Sequence, residues 1–239
     1  MKYFASTGPL SEVELPLQVY YALKHPDGTK SFDYWLLKQA HLARKFYVGT
    51  YYIPSKKMYT AVFKRIGAAD PRAFVEVTPN ELRNSYKMIC IKGCGQCCER
   101  NSGAVMLETE ARDLGIEIKD KPAFKVTLVD GAEERVYRLD TRRAGQCAFF
   151  NRARRSCALG RRKPILCTIS YCGAFAERKG EKYVRVSGKF LPDNKVEMVF
   201  ERVTDSEWEE LTRMVRSGVN VWRAVAELLR RRNITSRAG

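Results

Sequence analysis

The amino-acid sequence predicts an α+β fold: a small, cysteine-stapled metal-binding domain with short β-hairpins, preceded by an N-terminal helical segment and followed by C-terminal helices. Three observations lead to this prediction. All eight cysteines lie between Cys90 and Cys172, helical spacing of apolar residues marks both ends of the chain, and alternating residues flank short turns in between. We therefore divide the 239 residues into 1–85, 86–202 and 203–239.

The N-terminal segment is rich in tyrosine and is predicted to be mainly helical. Apolar residues at helical spacing predict helices over 32–48 and 54–65. A third, short helix is predicted to begin after Thr78, because Glu81 follows at the spacing of a capping box. Tyrosines and lysines together favour either core packing or stacking on nucleic-acid bases.

The middle segment is predicted to contain two β-hairpins. Alternating residues pair 125–129 with 135–139, and 183–187 with 196–200, across turn-forming residues. Between the first cysteines and the first hairpin, Thr109 is expected to cap a short helix.

The C-terminal segment is predicted to form a helical pair. Thr204 and Asn220 can cap the two helices, and Gly218 separates them. An apolar stripe runs along both helices: Trp208, Leu211, Val215, Trp222, Val225 and Leu229. Packing against the protein's own core explains such a stripe, and a protein partner bound by these helices or by the N-terminal segment is the alternative.

The chain is strongly basic. It has 43 Lys and Arg against 27 Asp and Glu, a net charge of +16, which favours RNA, DNA or a ribonucleoprotein as partner. One run without acidic residues carries eight of these charges: Arg142, Arg143, Arg152, Arg154, Arg155, Arg161, Arg162 and Lys163. This run is a candidate nucleic-acid-binding surface, because arginine suits phosphate oxygens. The alternatives are compensation of a negative metal centre and an ion-pair-rich surface of thermophilic type.

The sequence contains neither a membrane span nor an apolar signal region at its start, so a cytoplasmic location is expected, without a membrane partner. In a reducing compartment, clustered cysteines favour metal chelation over a disulfide framework, which is the alternative. The two histidines, His25 and His41, both lie far from the cysteines. An all-thiolate site is therefore expected, and it would hold zinc or an iron-sulfur cluster.

The spacing of the cysteines suggests how they share metal. Cys94 and Cys97 form a Cys-x2-Cys step, in which Gly95 relieves crowding. The adjacent Cys97 and Cys98 should point in different directions, which suggests two neighbouring centres or one centre with a spare thiol. The candidate ligands are Cys90, Cys94, Cys97, Cys98, Cys147, Cys157, Cys167 and Cys172.

The cysteine region also resembles known families. CIKGCGQCC at 90–98, GQCAFF at 145–150, SCALGRRKPILC at 156–167 and YC at 171–172 together resemble the CxxCxxCC family of zinc- or iron-chelating domains, over about residues 86–175. The resemblance implies metal chelation by the eight cysteines, and flagellin lysine N-methylase is a relative of that family. Two departures are the Cys-x3-Cys spacing at the start and Lys163 inserted before Pro164. The first three cysteines also match the motif of radical S-adenosylmethionine enzymes, but Gln96 replaces their usual aromatic residue.

The same features favour one metal and one function over their alternatives. Irregular spacing, and Cys98 where a zinc knuckle commonly has a small residue, favour a 4Fe-4S cluster over zinc, whereas the basic run would offset the negative charge of either. The leading hypothesis is a protein with a structural metal centre and a basic surface that binds RNA, DNA or a ribonucleoprotein. An enzyme of redox or protein-lysine methyltransferase type and an assembly scaffold are the alternatives. No catalytic residue is assigned, because no nucleophile, general base or cofactor loop stands out.

Overall fold

An eight-stranded antiparallel sheet dominates the structure, a computed structural model that describes residues 2–6, 46–66, 74–99, 105–118, 122, 124–127, 132–138, 141–142, 146–169, 171–191 and 195–235. The strands are β1 (Tyr3–Ser6), β2 (Tyr47–Ile53), β3 (Met58–Phe63), β4 (Phe74–Val77), β5 (Tyr86–Met88), β6 (Val105–Leu107), β7 (Phe124–Thr127), β8 (Glu133–Arg138), β9 (Thr141–Arg142), β10 (Gln146–Cys147), β11 (Phe150–Asn151), β12 (Ser156–Cys157), β13 (Phe175–Arg178), β14 (Glu181–Leu191) and β15 (Lys195–Val203). The helices are α1 (Pro79–Arg83), α2 (Gln96–Glu99), α3 (Glu108–Asp113), α4 (Ile165–Ile169), α5 (Asp205–Arg216) and α6 (Val221–Thr235).

The predicted α+β class is therefore wrong. The large sheet has the order β15-β14-β13-β5-β2-β3-β1-β4, and most described helices are short. The predicted helix over 54–65 is a 3-10 turn at Pro54–Lys56 followed by β3. The predicted helix over 32–48 lies outside the described residues up to 45, and from Tyr47 onward the chain is strand β2. The aromatic and β-branched residues of β2 and β3 fit a pleated sheet better than a helix.

The sheet curls around its main core. The edge strand β15 returns to the turn between β2 and β3, where Val196 N donates to Lys57 O at 2.7 Å. Inside the curve, Phe63 and Met88 pack with the buried apolar residues of α4. The main core therefore holds α4, and with it Cys167, against the sheet.

A second core lies between the sheet and the C-terminal helices. Leu211 and Val215 of α5 are fully buried among Phe175 and Val184. The ring of Trp208 meets that of Phe175 edge to face, with centroids 5.5 Å apart. The apolar stripe predicted on these helices therefore packs on the protein's own sheet, where its aromatic and aliphatic side chains are shielded from water.

Several local predictions are confirmed. The β7–β8 and β14–β15 hairpins form, and Thr78 caps α1 in a capping box with Glu81. Asn220 Oδ1 accepts from Trp222 N at the start of α6. The short helix α3 begins at Glu108, before Thr109, so the predicted cap at Thr109 is wrong. No helix within the described ranges is long and apolar enough to cross a membrane.

Glu207 links the start of α5 to the end of α6. Its carboxylate accepts from Arg232 Nε at 2.6 Å and from Thr204 N at 2.7 Å. The ion pair with Arg232 is the main reason why the pKa of Glu207 falls from its ordinary value to about 2. Because the folded-state pKa lies below that of the unfolded chain, this stabilisation is present above about pH 4.5 and is lost as the pH falls towards 2.

We expect Glu207→Gln to lower the free energy of unfolding by about 1–2 kcal/mol at pH 7, because it removes the charge that pairs with Arg232, while glutamine can still accept the hydrogen bond from Thr204 N. Urea titrations at pH 7 and pH 3 measure the effect, and the difference from wild type should shrink at pH 3. Glu209→Gln, on an exposed position of the same helix, is the control and should change little at either pH. A difference that stays constant with pH would contradict this role for the carboxylate.

Candidate metal centre

None of the eight cysteines, all of which lie in the described residues, forms a disulfide, so the disulfide framework is absent from this structure. They lie in loops or in short elements around one end of the main sheet. Cys90 and Cys94 follow β5, Cys97 and Cys98 lie in α2, Cys147 ends β10, Cys157 ends β12, Cys167 lies in α4, and Cys172 precedes β13.

The pairing of β5 with β13 brings distant cysteines together. Ala176 pairs with Met88 in the antiparallel register, and Ile89 N donates to Phe175 O at 3.1 Å. Because Cys90 follows β5 and Cys172 precedes β13, the same pairing places these two cysteines at one end of the two strands.

The turn at Cys94 has room only for glycine at the next position. Gly95 has a φ of +60°, and a Cβ there would lie 2.5 Å from the Phe150 ring and 2.7 Å from Arg155 O. Arg155 also holds the turn from its side chain, since Nη2 donates to Cys94 O at 3.0 Å and to Glu99 Oε2 at 3.0 Å. The prediction that Gly95 relieves crowding in the Cys-x2-Cys step is therefore confirmed.

Two buried polar side chains, which sequence reasoning missed, support the cysteine loops. Gln96 contacts the loop between α5 and α6: its amide nitrogen donates to Val219 O, and its Oε1 accepts from Val221 N at 3.1 Å. Glu110 accepts from Leu107 N at 2.9 Å and from Ile165 N at 2.7 Å. The first contact holds α2, which carries Cys97 and Cys98, and the second holds the start of α4, which carries Cys167.

The thiols divide into two groups of four by their electrostatic contacts. The first cysteine group is Cys90, Cys94, Cys97 and Cys172, in which Cys90 and Cys172 each interact with both of the others. The second cysteine group is Cys98, Cys147, Cys157 and Cys167, in which Cys167 interacts with Cys147 and Cys157, and Cys98 with Cys147 and Cys167. Cys97 of the first group also interacts with Cys167 and Cys98, so it lies next to both groups. The groups meet at α2, where the Sγ atoms of Cys97 and Cys98 are 4.0 Å apart.

Shielding from water raises the pKa of several of these thiols. Burial raises the pKa of Cys167 to about 12 and that of Cys172 to about 11. Cys97 differs, because the contact of its sulfur with the Cys98 thiol lowers its pKa below the ordinary value. The same contact raises the pKa of Cys98. Cys94 and Cys147 are buried, Cys90 and Cys97 are exposed, and the other four thiols are half-buried. A thiol shielded from water is costly to ionise without a compensating cation.

Three residues of the basic run, Lys163, Arg155 and Arg152, lie beside the cysteines or their loops. Lys163 lies near Cys97, Cys90 and Cys167; its positive charge favours the thiolate of Cys97 and offsets part of the rise that burial causes in the pKa of Cys90 and Cys167. Arg155 binds the Cys94 turn as above, and Arg152 Nε donates to Gln146 Oε1, next to Cys147, at 2.9 Å.

The other members of the run fall into two sets. Arg154, Arg161 and Arg162 are exposed, and none forms an ion pair within the described part of the chain. Arg142 lies in β9, its side chain outside the described structure, and Arg143 lies outside the described residues.

Among the described residues, no three Cys, His, Asp or Glu side chains are already arranged to hold a metal ion. His25 and His41 lie outside these residues. The chemistry of the donor set nevertheless fits a thiolate-bound metal: eight cysteine sulfurs outside any disulfide, with backbone N–H groups of Gln96 and Ala174 directed at Cys94 and Cys172.

No protein-family model, curated protein or solved structure matches this chain. The resemblance of residues 86–175 to the CxxCxxCC family therefore stays a prediction that rests on the motifs in the sequence.

We expect Gly95→Ala to destabilise the protein by about 2–4 kcal/mol, because the new Cβ meets both strained backbone and two close neighbours. Gly180→Ala is the matched control. Gly180 also has a positive φ, +84°, but nothing lies within 4 Å of its added Cβ, so only the backbone cost of about 1–2 kcal/mol applies. Chemical denaturation compares the two, and equal losses would contradict the crowding at Gly95.

Proposed function

We propose that this chain is a metal-binding protein whose cysteines hold two four-thiolate centres, one formed by the first cysteine group and one by the second. The observation that supports the proposal is that the eight cysteines, none of them in a disulfide, contact one another electrostatically on either side of the adjacent Cys97 and Cys98. Four cysteine sulfurs complete the coordination of one zinc ion or one iron-sulfur cluster.

An iron-sulfur cluster is the favoured group, and zinc is the alternative. Cluster sulfurs are stabilised by hydrogen-bond donors and by nearby positive charge. Here the backbone N–H groups of Gln96 and Ala174 bond to the sulfurs of Cys94 and Cys172, and Lys163 supplies positive charge to both cysteine groups. A cluster bound here would supply electron transfer or structural cross-linking, and the residues named would hold it.

Anaerobic purification tests the proposal, with iron, zinc and sulfide analysis and absorption spectra. An absorption band near about 400 nm with iron and sulfide indicates clusters, and zinc without colour indicates the alternative. A protein that binds neither iron nor zinc after anaerobic treatment with iron and sulfide, or with zinc, would contradict the proposal.

Paired substitutions test the division into two centres. Cys90→Ser with Cys172→Ser should remove about half of the bound metal, and Cys147→Ser with Cys157→Ser should remove the other half, because each pair comes from one group. The control pair, Cys90→Ser with Cys147→Ser, removes one ligand from each group and should remove nearly all of the metal. Equal metal content in the three variants would contradict two separate centres.

A second activity is favoured by the unpaired arginines beside the cysteines. Arg154 lies in the loop before β12, and Arg161 and Arg162 lie in the 3-10 turn after it. Arginines of α6 are instead paired with carboxylates, as Arg230 is with Glu227 and Arg232 with Glu207. We propose that the three exposed arginines bind the phosphates of RNA or DNA, next to the second cysteine group.

Replacing these three arginines by glutamine should weaken binding to a fluorescein-labelled RNA oligonucleotide by about tenfold and flatten the dependence on salt, because phosphate contacts are lost. Fluorescence anisotropy at several salt concentrations measures both effects. The control replaces Arg83, Arg213 and Arg223, which are also exposed and carry the same total charge. Equal weakening by both triple variants, or no binding by the wild type at low salt, would contradict this site.

A further inference from the structure

Arg185 of β14 is a buried cation whose hydrogen bonds are incomplete. Its exposed fraction is 9%, and its Nη1 has no hydrogen-bond partner in the described part of the chain. The guanidinium lies over the ring of Trp222, 4.3 Å from the ring centroid, which covers one face of the ion. A buried guanidinium without a carboxylate is costly, so an unfilled donor at this position calls for an anionic acceptor.

The first cysteine group lies next to this cation. Cys172 and Tyr59 are the groups that act electrostatically on Arg185. Arg185 N donates to Ala174 O at 2.9 Å, and the N–H of Ala174 is directed at the sulfur of Cys172. The backbone of Arg185 is therefore tied to the short segment that presents Cys172.

Tyr59, the other group that acts on Arg185, already donates its hydroxyl proton to a hydrogen bond. The hydroxyl of Tyr59 donates to Tyr171 O at 3.1 Å, and a neutral phenol gives a cation little compensation. No carboxylate in the described residues forms an ion pair with Arg185. Cys172 is therefore the neighbour that can supply negative charge, once its thiol is ionised.

We infer that Arg185 is a positioning residue for the first centre: its free Nη1–H group donates to the Cys172 thiolate when the first cysteine group holds metal, and its charge offsets that of the centre. The inference rests on the proposed function, because only a bound metal makes Cys172 a thiolate. It concerns the first centre alone, since none of the second cysteine group interacts with Arg185.

The experiment follows the release of metal from anaerobically prepared holoprotein to a chelator. Arg185→Gln should release the metal of the first centre about tenfold faster, because a hydrogen bond to a ligand and a compensating charge are lost. Arg185→Lys keeps the charge and should lie between Arg185→Gln and wild type. Arg178→Gln is the matched control: Arg178 also lies over aromatic rings, 4.6 Å from the centroid of Tyr86, and should release metal at the wild-type rate.

Two backgrounds separate the centres. Protein with Cys147→Ser and Cys157→Ser retains the first centre, and there Arg185→Gln should have its full effect. Protein with Cys90→Ser and Cys172→Ser retains the second centre, and there the rate should not change. Equal acceleration in both backgrounds, or none in the first, would overturn the role of Arg185.

A thermal melt of the metal-free protein distinguishes this role from a merely structural one. Without metal the guanidinium is buried and unpaired, so Arg185→Gln should leave the melting temperature of the metal-free protein unchanged or raised. A lower melting temperature in the metal-free protein, together with an unchanged ratio of metal-release rates, would overturn the inference. A wild-type protein that contains no metal contradicts the proposed function instead, and is seen before any variant is made.

Discussion

Ala176 pairs with Met88 and Glu177 with Lys87, and this short antiparallel contact between β13 and β5 decides where the first cysteine group forms. The chain enters β13 just after Cys172 and leaves β5 just before Cys90, so the pairing joins two parts of the chain that are distant in sequence. The other side of β5 pairs with β2, which continues the sheet through the N-terminal strands. The cysteine loops are thus anchored on a wide, buried sheet, whose cooperativity restricts how far they can move.

The loops beyond this sheet depend on buried polar side chains more than on apolar packing. Gln96 and Glu110 are both almost fully buried, and each satisfies backbone groups that would otherwise lack partners. Removing one partner of a buried polar group costs more free energy than a single hydrogen bond contributes. These two side chains therefore favour one loop conformation. Two cations also lie near the thiols: Lys163 is near both cysteine groups, whereas Arg185 is near the first.

Sequence patterns predicted the elements whose signals are local. The caps at Thr78, Thr204 and Asn220 depend on side chains within three residues, and the β14–β15 hairpin depends on alternation around one turn. The spacing of apolar residues predicts a helix where β3 and the first two residues of β2 form, because buried strands carry apolar residues at almost every position, which also fits a helical pattern. Their identity depends on pairing partners far along the chain, and a window of neighbouring residues does not contain that information.

The sequence by itself determined the set of eight candidate sulfur ligands and the local caps, because each follows from residue chemistry or from a few adjacent dihedral angles. Only the tertiary structure decided that Phe150 and Arg155 crowd Gly95, which basic side chains lie near the thiols, and that Arg185 is buried without a complete set of partners. Those features arise from contacts between strands and loops separated by tens of residues. Sequence spacing does not encode such distances, because the same spacing is compatible with many chain reversals.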